Sequence, residues 1–361
     1  MQSSLQSFIH RAQVGLELQR KMGEELYKKM ETLNDFLKKQ LEENKAKTFV
    51  TSVPLTAFVD DFQPELDPEL SQEDDIELVK DLELVPLKIS SAEKVPIAAV
   101  DTSLAILGET DRGVGVAFRS AIVVEDRPKL RATYIAHLTT QNKDLIYKTL
   151  RKDYLGEDVK GTPVLTWLPN RVANLIERIA QRLASCLISD GIVLWDGSLT
   201  VTMETTKDLL RRSIEIAHKQ GNSIIAVSKS SRLRLKDGTK LTHLLANRRE
   251  PCLVHIEQSM LASQCNVMGK IHVVKFTSDG FSFRVDVAPR PNLNCCELIK
   301  KVLSSCDFER GYPAPLAQAH AQAYFTRSEV LELQAEFIRM CRPALLEGFD
   351  IRRHVLGVFG L

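Results

Sequence analysis

No C-x-x-C pair occurs among the seven cysteines, Cys186, Cys252, Cys265, Cys295, Cys296, Cys306 and Cys341, so neither a zinc site of paired thiolates nor a redox dithiol is written into the chain. Their odd number and scatter exclude a disulfide framework and fit a reducing compartment. The N-terminus, MQSSLQSFIHRAQ, lacks a charged region followed by an apolar one, and the later apolar stretches are soon interrupted by charges. Neither a leader nor a membrane span is expected. Charge of one sign is not in excess either: 48 basic residues face 47 acidic ones, for a net +1, so only local clustering can point to a polyanionic partner. A phosphate-cradling G-x-x-x-x-G-K-[ST] loop is missing, because MGKIH has neither the first glycine nor the hydroxyl. What remains is 361 residues, 44% hydrophobic, enough for a real core in a soluble, cytoplasmic protein.

Residues 1–50 read as an N-terminal amphipathic helical segment, one helix or a pair, with apolar positions at Leu5, Phe8, Ile9, Leu26, Met30, Leu33, Leu37 and Leu41. Residues 51–94 read as an acidic linker or flap: eleven carboxylates fall between 60 and 83 against one lysine, Lys80. The plain reading is a solvated linker; the sharper one is a flap that mimics nucleic acid beside a basic groove. The core, 95–345, begins with VPIAAVDTSLAIL, GVGVAFRSAIVV and ATYIAHLTT, three successive strands. A helix follows in NRVANLIERIAQRLASCLIS, then a buried strand GIVLWDGS, a helix near 203–219 and a strand NSIIAVSK. KIHVVKF and FSFRVDVA add two strands before a helical end. This order predicts an α/β fold with a mixed sheet. The tail 346–361 closes on the apolar HVLGVFGL, a final strand or a docking segment.

Asp101, in AAVDTS, is expected near the end of the first core strand, and Asp196, in VLWDGSL, at the end of the fourth. If those strands are neighbours, both acids leave the same edge of the sheet, where open α/β sheets bind ligands. Glu177 lies on the intervening helix among Leu175, Ile176, Ile179, Ala180 and Leu183, which pack on the sheet. Each acid alone has an ordinary role: Asp196 before Gly-Ser suits a turn or cap, Asp101 before Thr-Ser likewise, and a helical Glu is usually solvated. Their order is that of a ribonuclease-H-like nuclease. Two carboxylates about 5 Å apart at an effective dielectric of about 20 repel by roughly 3 kcal/mol, so three together call for a cation or a proton. Oxygen donors favour Mg²⁺ or Mn²⁺ over zinc, and a pair of ions suits phosphodiester hydrolysis.

GYPAPLAQAHAQAYF, residues 311–325, reads as a turn entering a helix that carries His320, with Tyr312 eight residues upstream. With AAVDTS, Glu177 nineteen residues before Asp196, VLWDGSL, AVSKSS and GYPAPLAQAH, the chain resembles the NurA family of nucleases over about 95–325. The resemblance implies a ribonuclease-H-like fold, a homodimer, and a metal-dependent deoxyribonuclease acting at DNA ends. The implied activity is a 5′-to-3′ end-processing exonuclease with single-strand endonuclease activity. It implies two Mn²⁺ ions, with Mg²⁺ as the alternative, and a HerA-type hexameric ATPase as partner in double-strand-break resection. Carried over, Asp101, Glu177 and Asp196 are metal ligands, His320 joins them or orients phosphate or water, and Tyr312 stands beside the metals. The family's first motif reads Asp-Gly-Ser; Thr102 replaces that glycine here and restricts the turn expected there.

Between 229 and 249, Lys229, Arg232, Arg234, Lys236, Lys240, Arg248 and Arg249 meet one acid, Asp237, which suits a phosphate track or a solvated loop and helix face. Lys229, at the end of a strand beside the acids, is the best placed to reach a phosphate. Contacts to phosphate and sugar imply little sequence preference. An actin-like ATPase also uses Asp-Gly turns at strand ends, but DTSLAIL lacks the glycine its phosphate hairpin needs. The remaining rival is a nuclease-like adaptor that binds DNA without cutting it, for which mutually repelling acids have no use.

Overall fold

The computed structural model describes residues 2–50, 75–76, 83–88, 93–151, 164–201, 207–229, 231, 234–235, 240–257, 267–342 and 344–346. The chain opens with a single continuous helix, α1 (Gln2–Glu43), whose Met30, Leu33, Leu37 and Leu41 recur at helical spacing and are buried. Three short strands follow, β1 (Thr48–Val50), β2 (Asp75–Ile76) and β3 (Leu84–Pro86), then the long meander β4 (Ile97–Thr110), β5 (Gly113–Val124) and β6 (Arg127–Thr139). The next stretch holds α2 (Lys143–Arg151), α3 (Leu168–Leu187), β7 (Ile192–Asp196), α4 (Lys207–Lys219), β8 (Ser223–Ser228) and β9 (Arg234–Leu235). Three antiparallel strands come after it: β10 (Cys252–Ile256), β11 (Lys270–Lys275) and β12 (Ser282–Ala288). The chain ends with α5 (Cys295–Ser305), β13 (Phe308–Glu309), β14 (Tyr312–Pro313), α6 (Ala314–Ala323), α7 (Arg327–Cys341) and β15 (Ala344–Leu346).

Eleven strands form one mixed sheet. Its centre runs β6-β5-β4-β7-β8, with β5 antiparallel to both neighbours and β7 parallel to β4 and β8. That is the ribonuclease-H-like order expected from the sequence. Antiparallel β12, β11, β10 and β3 widen the sheet beyond β8. Ile192, Val193, Leu194 and Trp195 are all buried, as a central strand covered on both faces requires. One face packs on α1, α2, α3 and α4 through residues such as Leu37, Ile146, Ile176 and Leu210. The other packs on α5 and α6 through Leu298, Ile299, Val302 and Leu316.

Several elements lie where the sequence patterns carried no signal. Residues 48–50, at the end of the expected helical segment, are a strand that pairs with the distal end of β4 and with β15. Residues 84–86, inside the expected linker, pair with β10. All of the acidic stretch 60–83 except Asp75, Ile76 and Glu83 lies outside the described residues. The backbone of β2 runs parallel to β9, setting Asp75 opposite Arg234. Residues 347–361, nearly all of the apolar tail, also lie outside the described residues. Among the described residues no helix is long and apolar enough to cross a membrane.

Helix α7 is tied down at its start. Thr326 caps it, with the Thr326 amide donating to Glu329 Oε2 at 2.9 Å and the Glu329 amide donating to Thr326 Oγ1 at 3.4 Å. Glu329 also receives Arg131 Nη2 at 2.5 Å and Arg119 Nη1 at 3.0 Å. Arg119 lies over the Phe325 ring, 4.2 Å from its centroid, and donates to the Tyr324 carbonyl at 2.9 Å. These bonds fix the elbow between α6 and α7 against β5.

Candidate active site

The register of the parallel pair decides the geometry. Val100 of β4 stands beside Trp195 of β7, so Asp101 and Asp196 each follow by one residue on adjacent strands and share a sheet face. Asp101 is not at a strand end, however. β4 continues to Thr110 because pairing with β5 runs on through Asp101↔Ala121 and Thr102↔Ser120. What ends at Val100 is the pairing with β7, and that parting of strands opens the space beside the acids. Thr102 therefore sits in extended backbone, where a β-branched residue is favoured, and its hydroxyl bonds Ser120 Oγ at 2.7 Å. The turn that Thr102 was expected to restrict is not there.

Asp101 is 7% exposed. Its Oδ1 accepts from the Thr102 amide at 2.8 Å and its Oδ2 from His320 Nδ1 at 2.8 Å. Since a carboxylate only accepts, Nδ1 carries the proton. That hydrogen bond raises the His320 pKa against the opposing effect of burial. His320 comes from α6, whose start is shaped by Pro313 and Pro315 after β14. Its side chain is 42% exposed, so the ring stays within reach of solvent.

Asp196 ends β7, and Gly197 follows with φ of +107°, a conformation natural to glycine that turns the chain sharply away. Lys229, just past β8, places Nζ 2.9 Å from Asp196 Oδ2 and 5.2 Å from the centre of the Tyr312 ring. Burial raises the Asp196 pKa; Lys229 opposes that and Asp101 adds to it. Tyr312 is buried, and its hydroxyl is directed at Asp196 and lies within electrostatic reach of all three acids. Burial first, then the charges of Asp196 and Asp101, push the phenol well above its ordinary value. Gly311, with φ of +86°, packs against Gly280 and Phe281 and lets the chain enter β14 in that tight space.

Glu177 extends from α3, only 6% exposed. Burial pushes its carboxyl up to about 8; Arg178 pulls it down, and Asp101 and Asp196 push it further up. The Arg178 contact is long, Nη2 to Oε2 at 3.4 Å, and the guanidinium also lies 5.3 Å from the centre of the Trp195 ring. Arg178 was not singled out by sequence, because neighbouring residues on a helix do not normally face the same target. The acids thus act on one another electrostatically, yet among the described residues no three His, Cys, Asp or Glu side chains stand close enough to hold one ion. In this arrangement the ammonium of Lys229 and the imidazole of His320 lie against two of the acids.

Of the basic stretch, Lys229 alone among the described side chains is brought to the acids. Lys240 is exposed at the start of a 3-10 turn, Arg234 is described by its backbone in β9, and Arg232 and Lys236 lie outside the described residues. Arg284 and Asp286 of β12 were missed, although they reach the loop after Asp196. An Arg-x-Asp alternation inside the apolar strand FSFRVDVA was the available signal.

The sequence matches no protein-family profile and no curated protein. Among solved structures, the chain is similar to the NurA nuclease from Sulfolobus solfataricus, at 14% identity and TM-score 0.44, over 72% of this chain and 87% of that one. It is similar to a second NurA structure at 10% identity and TM-score 0.45, over 70% and 90%. Human endonuclease V is a further match, at 12% identity and TM-score 0.31, over 66% and 85%.

Proposed function

We propose that the chain is a metal-dependent DNA nuclease of the NurA kind that hydrolyses phosphodiesters at DNA ends. The observation that carries this reading is the convergence of Asp101, Asp196 and Glu177 from two parallel strands and a helix, with Lys229, Tyr312 and His320 around them. Like-charged, buried carboxylates without mutual hydrogen bonds destabilise a fold, so they mark a site built for a cation.

The donor set fits Mn²⁺ or Mg²⁺ in kind: three carboxylates, with His320 as a fourth donor, and the Tyr312 phenol beside them. When bound, such ions supply Lewis acidity toward the phosphate and counter-charge to the acids. The chain's own residues do the rest. Lys229 exchanges Asp196 for a phosphate oxygen and steers the backbone into the site. His320, held through Nδ1 by Asp101 and partly exposed, orients the scissile group and handles a proton at Nε2. Tyr312 keeps its proton and offers it as a hydrogen bond to a non-bridging oxygen. A HerA-type ATPase partner, a homodimer and a role in double-strand-break resection belong to this reading through the sequence resemblance.

The competing reading is a non-cutting DNA-binding adaptor, favoured by the fact that Lys229 and His320 already lie against two of the acids. The test is degradation of end-labelled linear DNA with Mn²⁺, Mg²⁺ or EDTA, with and without a HerA-type ATPase. Cleavage that needs metal upholds the nuclease; no cleavage under any condition leaves the adaptor.

A further inference from the structure

The loop that leaves Asp196 is gripped from beneath by a buried ion pair. Arg284 and Asp286 are two residues apart on β12 and therefore share a face. Asp286 is fully buried and Arg284 is 6% exposed. The pair is bidentate, Nε to Oδ1 at 2.9 Å and Nη2 to Oδ2 at 2.8 Å. Both residues then reach the loop. Asp286 Oδ2 accepts from the Leu199 amide at 2.9 Å, and Arg284 Nη2 donates to Thr200 Oγ1 at 3.0 Å. Thr200 Oγ1 also accepts from Ser198 Oγ at 3.0 Å.

The remaining loop groups are held by neighbouring strands and loops. The Gly197 amide donates to the Val227 carbonyl at 3.0 Å, Ser228 Oγ donates to the Gly197 carbonyl at 2.6 Å, and the Met268 amide donates to the Leu199 carbonyl at 2.9 Å. Each of the four residues after Asp196 is thus held at one or more polar atoms.

A buried ion pair is a poor way to add stability, since desolvating two charges offsets much of their attraction, and a well-packed apolar pair of equal volume does as well or better. What an apolar pair cannot do is bind an amide and a hydroxyl at defined positions. We infer that Arg284 and Asp286 are positioning residues, which hold the 197–200 loop so that the Asp196 carboxylate is fixed at the end of β7. The claim extends the nuclease reading above, but its first readout does not depend on cleavage.

The experiment compares the wild type with the double variant Arg284→Met/Asp286→Val, which keeps the summed side-chain volume close to that of the pair and removes both charges. The expected result is an unchanged or higher melting temperature, hydrogen exchange at the Leu199 amide faster by about tenfold or more, and kcat on linear DNA lower by about 10²-fold at unchanged KM. Wild-type protection of Leu199 together with wild-type kcat in the folded double variant overturns the inference. If the double variant does not fold, Thr200→Val removes only the hydroxyl; faster exchange at residues 198–200 supports the grip, and unchanged exchange overturns it. If the wild type cuts no DNA, exchange at Leu199 still decides the positioning claim while the nuclease reading falls separately.

Discussion

Glu177 and Glu329 are the same residue type on helices that flank one sheet, and their surroundings drive them in opposite directions. Burial pushes Glu177 up to about 8, and Asp101 and Asp196 add to the effect against a long contact from Arg178 and a hydrogen bond with Gln181. Burial also acts upward on Glu329, but the amide and hydroxyl of Thr326 and the guanidiniums of Arg119 and Arg131 bring it down to about 2. One carboxylate is satisfied by its neighbours, the other is opposed by them. Folding uses the first arrangement, and the proposed cation site rests on the second.

Substitution should separate the two most sharply at the strand ends. Asp196→Asn is expected to lower cleavage of linear DNA by about 10²-fold or more, with a melting temperature in EDTA equal to or above wild type. Glu177→Gln should lose cleavage in the same way and melt higher, because a neutral amide suits the buried position better than an acid that the unfolded chain ionises freely. A lower melting temperature in either variant would mean that the acids serve the fold.

A buried base extends the comparison. His272 of β11 is pushed down to about 4 by burial first and then by the adjacent His255, whose ring centroid is 4.9 Å away. The unfolded imidazole binds its proton near 6.5, so the contribution of His272 is fully present above that value. It is lost as pH falls from about 6.5 to about 4, worth about 3 kcal/mol in that window. Denaturant unfolding of wild type and His272→Phe across that range checks it; the variant should show a flatter pH dependence.

Glu329→Ala leaves Arg119 buried without its counter-charge and should cost about 2 kcal/mol, measured by urea unfolding, while cleavage per folded molecule stays near wild type. Thr326→Ala removes only the cap and should cost about 1 kcal/mol. Loss of cleavage in a folded Glu329→Ala protein would erase the division between the two regions.

The acids were legible because they sit where a short-range pattern meets a chain order. Asp196 follows an unbroken apolar strand, Asp101 lies in the first strand of the meander, and Glu177 interrupts an apolar helix face. The extent of β4 was not legible, since the pairing that continues past Asp101 depends on β5 and the parting from β7 depends on where that shorter strand stops. Arg119 and Glu329 lie 210 positions apart, and Asp286 stands 87 residues beyond the amide it holds, so no local periodicity announces either contact. α5 falls within the expected helical end, and its start is set by Asn294, which caps it by accepting from the Cys296 amide at 2.7 Å. The single α1 and the mixed sheet, by contrast, rest on helical spacing and strand order that any reader of the chain can count.

The most direct test of the central claim, that Asp101, Glu177 and Asp196 form one cation site, is titration of Mn²⁺ into the metal-free protein by calorimetry, beside Asp196→Asn. The expected result is saturable binding in the wild type that the substitution removes, with the fold intact by circular dichroism. Equal binding in both proteins, or none in the wild type, would contradict it and leave Lys229 and His320 as permanent counter-ions of a non-cutting protein.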